Sequence, residues 1–185
     1  MNRKTSRPAP MMLIVVAAVV TAVEAWGSPA AVLPTSTFVS DPDFWLATST
    51  NLVGTGYFIT RVHAPAAAPY LGAGTELVGI PILASSIVDL SHKKSDFSTW
   101  AGIGYATWAL GAATIDHVLK VEYRSPARPA ILIPYVAGYY AAIGCLSAAQ
   151  YHNGYLPWAI AGGTCLLTLA SSFYARAKET ERAKR

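Results

Sequence analysis

Apolar runs follow one another along nearly the whole chain, separated by short breaks that carry charges, Pro or Gly. Six such runs predict six helices, at about 11–26, 44–60, 69–88, 97–119, 130–150 and 155–175. Crossing the hydrocarbon of a bilayer takes roughly 20 residues, a length that the last four reach and the first two do not. The runs are too long, and alternate too little, for barrel strands, and inside lipid only helices or closed barrels satisfy the backbone. The pattern predicts an all-α, polytopic transmembrane bundle. A basic N-terminal segment (1–10) would precede a single helical domain (11–176), and a basic tail (177–185) would follow it.

The first two runs need separate treatment. Arg3, Lys4 and Arg7 precede a short apolar centre that ends in Val23-Glu24-Ala25, which is also the layout of a cleavable signal peptide. Cleavage after Ala25 would leave five spans. A retained helix is the preferred reading, because apolar residues continue through Trp26 to Leu33. The second run, FWLATSTNLVGTGYFIT, is polar for a helix facing lipid. It fits a bundle only if Thr48, Asn51 and Thr55, spaced i, i+3, i+7, point inward.

Charge sets the orientation. With the N-terminus in the cytoplasm and the spans alternating, Arg3, Lys4, Arg7, Arg61, Lys120, Arg124 and Arg128 fall inside, as do the basic residues from Arg176 onward. Only Lys93 and Lys94 fall outside, as the positive-inside rule requires. Tryptophan, not used in that assignment, agrees with it. Trp26, Trp45, Trp100 and Trp158 gather near the predicted outer interface, where indole finds both an apolar body and a partner for its N–H. Trp108 alone sits mid-span. The expected location is a cell (inner or plasma) membrane, with both termini cytoplasmic.

Composition narrows the function classes. Hydrophobic residues make up 53% and charged residues 13%, half the usual soluble share, and the mean hydropathy is +0.36. A net charge of +4 raises the question of nucleic acid, but the basic residues lie at helix ends and not along one face. The expected partners are the lipid bilayer, a second copy, or the other subunits of a larger membrane complex. No HExxH, Walker loop, GxSxG or CxxC occurs, and no cofactor is expected. His63 and His117 lie inside while His92 and His152 lie outside, so the four cannot share one metal. A site from His63, His117 and Asp116 or Glu122 is conceivable but weakly signalled. Cys145 and Cys165 differ in depth by roughly 7 Å at the helical rise, too much for a disulfide, and read as packing residues.

Polar residues at membrane depth are the functional candidates. Asn51 and Glu76 lie roughly 10–14 Å from the cytoplasmic side, on consecutive helices. A carboxyl at that depth is costly unless partnered, and points to function by default. Pro81 lies five residues on and would leave the Leu77 carbonyl without its donor, while Gly72, Gly74 and Gly79 permit close helix approach. The alternative is a Glu bonded to Asn51 or a Thr as packing glue. Asp116 and His117 come in the last turn before the cytoplasmic interface, where Asp116 could pair with Lys120, and Ser125-Pro126 would end the helix. Tyr123, Arg124 and Arg128 would hold an anionic headgroup, whereas Tyr135, Tyr139 and Tyr140 are either pocket hydroxyls or core tyrosines. These residues predict an accessory or structural subunit, or a small-solute binding or transport bundle with a cytoplasm-facing polar cavity. The alternative is a membrane enzyme acting on a lipid or other hydrophobic substrate, with Asp116 or His117 as acid/base.

Overall fold

Asp41 accepts a hydrogen bond from the backbone N–H of Asp43 at 2.9 Å, and Pro42 occupies the first helical turn, where no N–H is required. In this computed structural model, which describes residues 41–121, 128–182 and 184, that cap begins α1 (Pro42–His63). There follow α2 (Ala68–Leu77), α3 (Gly79–Ser91) and α4 (Phe97–Ala113), the last prolonged by a π-helical turn (Thr114–Val118). Then come α5 (Pro129–Ala149), closing in a 3-10 turn (Gln150–Asn153), and α6 (Tyr155–Arg182). Among the described residues there is no strand.

The helices match five of the runs to within a few residues at most ends, but they are not equally apolar. Among the described residues three stretches are long and apolar enough to cross a membrane: Ala68–Ser91, Pro129–Asn153 and Tyr155–Arg182. That is fewer than the six expected. In α1, Asp43, Thr48, Ser49, Thr50 and Asn51 dilute the apolar residues, and in α4 the glycines, threonines, tyrosine and tryptophans do so. The expected first span, at about 11–26, lies outside the described residues. So does the Ser125-Pro126 stop.

Ala68–Ser91 is one rod interrupted at Val78, between α2 and α3. The interruption falls where Pro81, without an N–H, cannot bond the Leu77 carbonyl and crowds it. With this rod as one member, the helices close a ring. α1 packs on α2, α5 and α6, α4 packs on α3 and α5, and α5 packs on α6. The core is built from small residues and a few large ones: Ala47, Ala101, Ala109, Ala142 and Ala149 with Ile82, Tyr105, Tyr139, Ile143 and Leu146. A Cβ on Gly79 would lie 2.7 Å from that of Ala109, so glycine is what lets α3 meet α4 there. Gly162 and Gly163, by contrast, have nothing within 4 Å of a Cβ. Thr48, Asn51 and Thr55 do turn inward, with exposures of 6%, 1% and 6%. Cys145 and Cys165 are free thiols packed against the core. Outward faces carry exposed Leu77, Ile80, Leu110 and Leu166, an arrangement suited to lipid and costly in water.

Contacts at the two ends of the ring tie together helix ends of alternating direction. At one end Asp43 accepts from Ser85 (2.7 Å) and Ser98 (3.2 Å), the Gln150 amide donates to the Asp43 carbonyl, and Asn153 bonds Asp41. Trp45 and Trp100 are exposed at this end. At the other end Arg61 pairs with Glu179 at 2.5 Å, Arg182 donates to the Val62 carbonyl, and Tyr174 bonds and stacks on His63. These contacts hold the last turns of α6 against α1, which is why that helix continues to Arg182 instead of ending near 175.

The loop between α3 and α4 makes a pH-dependent contribution. Burial opposes the charge on Asp96, but the Thr99 N–H and the Lys94 ammonium outweigh it and lower its pKa below the ordinary 3.8. Burial likewise opposes the charge on Lys94, and the Asp89 hydrogen bond with the Asp96, Asp89 and Asp43 carboxylates raises its pKa above 10.5. A lowered carboxylate stabilises the fold above its unfolded pKa and loses that effect as pH falls through the folded value. A raised ammonium stabilises below its unfolded pKa and loses the effect as pH rises through the folded one. Asp96→Asn should therefore lower the melting temperature at pH 7 and converge on the parent protein in strong acid. Thermal melts of both proteins across pH check this, and a deficit that persists in acid would refute it.

Candidate functional site

Glu76 sits one turn before the Pro81 interruption, where α2 is pinned by the Tyr105 hydroxyl donating to the Thr75 carbonyl at 2.6 Å. Its Oε2 lies 2.8 Å from Nε2 of His117, across 41 residues of sequence. The Glu76 side chain is 7% exposed and the imidazole 58%, so the pair runs from the protein interior to its surface. A partner at this distance removes most of the cost of placing a carboxyl at depth.

His117 and Asp116 both belong to the π-helical turn, which continues α4 with a wider spacing: the Leu119 N–H reaches Thr114 O at 2.8 Å and the Val121 N–H reaches Ile115 O at 3.2 Å. Single π turns inside α-helices are rare and occur frequently at functional sites, because the extra residue re-aims the side chains that follow. Here the two neighbours diverge. His117 meets Glu76 of α2, while Asp116 accepts from the Tyr135 hydroxyl of α5 at 3.2 Å. Lys120 then takes a left-handed φ of 48°, uncommon for a residue with a Cβ, and the chain leaves the helix.

Beside this turn, Trp108, Gly111, Ala112 and Ile115 of α4 and its extension face Ala130, Ile131, Pro134 and Tyr135 of α5 across an open cleft of about 340 Å³. Trp108 donates its indole N–H to the Tyr135 carbonyl at 3.0 Å and packs edge-on against the Tyr135 ring. Pro134 removes the N–H that would bond the Ala130 carbonyl, so the same α5 turn that lines the cleft lacks one helical bond.

The structure divides the sequence-derived candidates. Glu76 and His117 are brought into contact, and Asp116 lies next to His117 on the same turn. Asn51 is elsewhere, in the seam of α1, α5 and α6. There its amide donates to Ser147 Oγ (3.0 Å), Ala161 O (3.1 Å) and Thr164 Oγ1 (3.1 Å). Of the alternatives raised for Glu76, a bond to Asn51 is not the one formed; its carboxyl contacts His117. Arg128 is exposed and precedes α5 as its N-cap, while Glu122, Tyr123 and Arg124 lie outside the described residues. His63 is engaged with Tyr174, and among the described residues no three His, Cys, Asp or Glu side chains could hold a metal ion.

Two features escaped the sequence. Tyr135 gives its hydroxyl to Asp116, while Tyr139 is a buried core tyrosine whose hydroxyl packs against Gly54 without a hydrogen-bond partner. Asp43 collects two serines from different helices, and its place in the first turn of α1, after the Asp41 cap, gives no signal of those partners. Compared with protein-family models, with curated proteins and with solved structures, this chain gives no match.

Proposed function

We propose that this chain is a multi-pass bundle of a cell membrane that binds a small solute at a cytoplasm-facing polar site around Glu76 and His117. The three apolar stretches carry the membrane reading. α1 and α4 complete the ring between them and cross with them, their polar side chains turned to the interior. The segment at about 11–26 supplies a sixth span, or leaves five if it is removed after Ala25. Both termini are cytoplasmic, since Arg61, Lys120, Arg128 and Arg182 share one end.

The observation that carries the site is the 2.8 Å contact between a nearly buried carboxyl and an imidazole open to the surface. Such a pair presents an acceptor and a switchable donor to a ligand arriving from the cytoplasm. The pair stands at a helix interruption and a π turn, two places where the regular α-helix is broken.

Native mass spectrometry of the protein extracted from its own membrane tests this. A small molecule should accompany the parent chain and be lost in Glu76→Gln, while a variant on the opposite end, Asp96→Asn, retains it. Stoichiometric partner subunits with no ligand would instead make this an accessory subunit and reduce Glu76 to a packing residue. A second reading, an enzyme acting on a hydrophobic substrate, draws on the position of Asp116 and His117 beside the apolar cleft. It requires that Asp116→Asn abolish turnover of the molecule retained.

A further inference from the structure

The cleft between the end of α4 and the start of α5 is not filled by the described residues. A Cβ on Gly111 would meet nothing within 4 Å, and the cleft volume of about 340 Å³ is at the lower end for ligand sites, about 300–1,000 Å³. Its side-chain polar groups are already occupied, and the backbone adds only the Ala130 carbonyl that Pro134 leaves without its helical donor. The Trp108 indole N–H is given to the Tyr135 carbonyl, and the Tyr135 hydroxyl to Asp116. What the cleft offers is therefore mostly hydrocarbon and two aromatic faces, a surface that attracts an alkyl chain and gives a polar solute a single carbonyl to bond.

Its surroundings specify the other end of the ligand. Ile115 and Ala130 mark the end of the cleft nearest the helix termini, and the chain passes from them to two exposed cations, Lys120 and Arg128. Cations at the cytoplasmic mouth of an apolar cleft between helices complement an anionic headgroup.

We propose that this cleft is a binding site for one acyl chain of an anionic phospholipid from the cytoplasmic leaflet, whose headgroup is held by Arg128 and Lys120. The site rests on the membrane orientation proposed above, but not on the solute site at Glu76 and His117. The lipid enters sideways from the bilayer, packs its chain between Trp108 and Pro134, and stays longer than an unbound neighbour.

Trp108 lines the cleft and reports on it. In a chain whose other tryptophans (Trp26, Trp45, Trp100 and Trp158) are replaced by Phe, its fluorescence is followed in phosphatidylcholine vesicles. A minor fraction of phosphatidylglycerol or phosphatidylcholine brominated in the acyl chain serves as quencher. The brominated anionic lipid should quench saturably and with about thirtyfold preference over the zwitterionic one, the effect of two engaged cations at the surface. Gly111→Phe, whose Cβ meets nothing within 4 Å and whose ring would occupy the cleft, should abolish the preference, and Arg128→Gln with Lys120→Gln should reduce it. Equal quenching by both lipids, proportional to their fraction and unchanged by Gly111→Phe, would overturn the site while leaving the membrane reading intact. No quenching by either would overturn both. Should the four replacements impair folding, the unaltered chain in mixed detergent–lipid micelles gives an independent answer. Native mass spectrometry should show retained phosphatidylglycerol in the parent and none in Gly111→Phe, and equal retention by the two would overturn the site.

Discussion

In a double-mutant cycle, Glu76→Gln and His117→Ala should show a coupling of about 1–2 kcal/mol. Two limits bracket that value. Breaking a fully buried ion pair costs about 3–5 kcal/mol, because a charge is left behind in a medium that cannot solvate it. Exposed pairs are worth under about 1 kcal/mol, since water screens them. This pair has one member at 7% exposure and the other at 58%, so it falls between the limits. His117→Ala withdraws one partner from a carboxyl that stays where it is, whereas in Glu76→Gln the amide keeps the shape and drops the charge. The single losses should therefore be unequal, with His117→Ala the larger, and the double variant should lose less than their sum. Equilibrium unfolding in bicelles measures all four proteins. Strict additivity would mean that the contact carries no energy, and the solute site would lose its foundation.

Helix positions were readable because each depends on neighbours in sequence. The length of each apolar run places most element ends within a few residues. The inward face of α1 followed from the spacing of Thr48, Asn51 and Thr55 for the same reason. Pro81 announced the interruption at Val78 because a missing N–H acts four residues away, inside the element itself. What these local rules overstate is apolarity. A run can be helical and pack in a ring while its hydroxyls and amides, satisfied by its neighbours, keep it below the hydropathy of a free-standing span. α1 does this with Thr50 on Leu46 O and Asn51 on α5 and α6.

The site was legible as a set of residue types but not as an arrangement. Glu76, Asp116 and His117 were conspicuous because charge at membrane depth needs a partner. Which partner each takes depends on the rotation of α2 against α4, and no local pattern encodes that. The π turn is harder still. Nothing in Thr-Ile-Asp-His-Val distinguishes it from α-helix, yet its one extra residue sends Asp116 to α5 and His117 to α2. Asn51 shows the converse. Depth alone joined it to Glu76, while the geometry assigns it to the seam with Ser147 and Thr164.

That separation predicts opposite behaviour for Asn51. Asn51→Ala should destabilise the bundle by about 2 kcal/mol, from hydrogen bonds averaging about 0.6 kcal/mol each in a membrane protein plus the cavity left by a side chain 1% exposed. Asn51→Asp should cost more, about 3 kcal/mol, although it is nearly isosteric. The reason is the Ala161 carbonyl, 3.1 Å from the amide nitrogen. A carboxylate there sets acceptor against acceptor, and only Ser147 and Thr164 have hydroxyls to turn toward it. Neither variant should release a ligand held at Glu76 and His117, because no bond of Asn51 reaches α2 or the π turn. Unfolding in bicelles gives the order of stabilities, and native mass spectrometry of the same samples gives ligand retention. If Asn51→Asp were the milder change, the amide would not be donating to Ala161, and the seam around Asn51 would be packed differently. If Asn51→Ala shed the ligand while the bundle stayed folded, Asn51 and Glu76 would belong to one cavity after all.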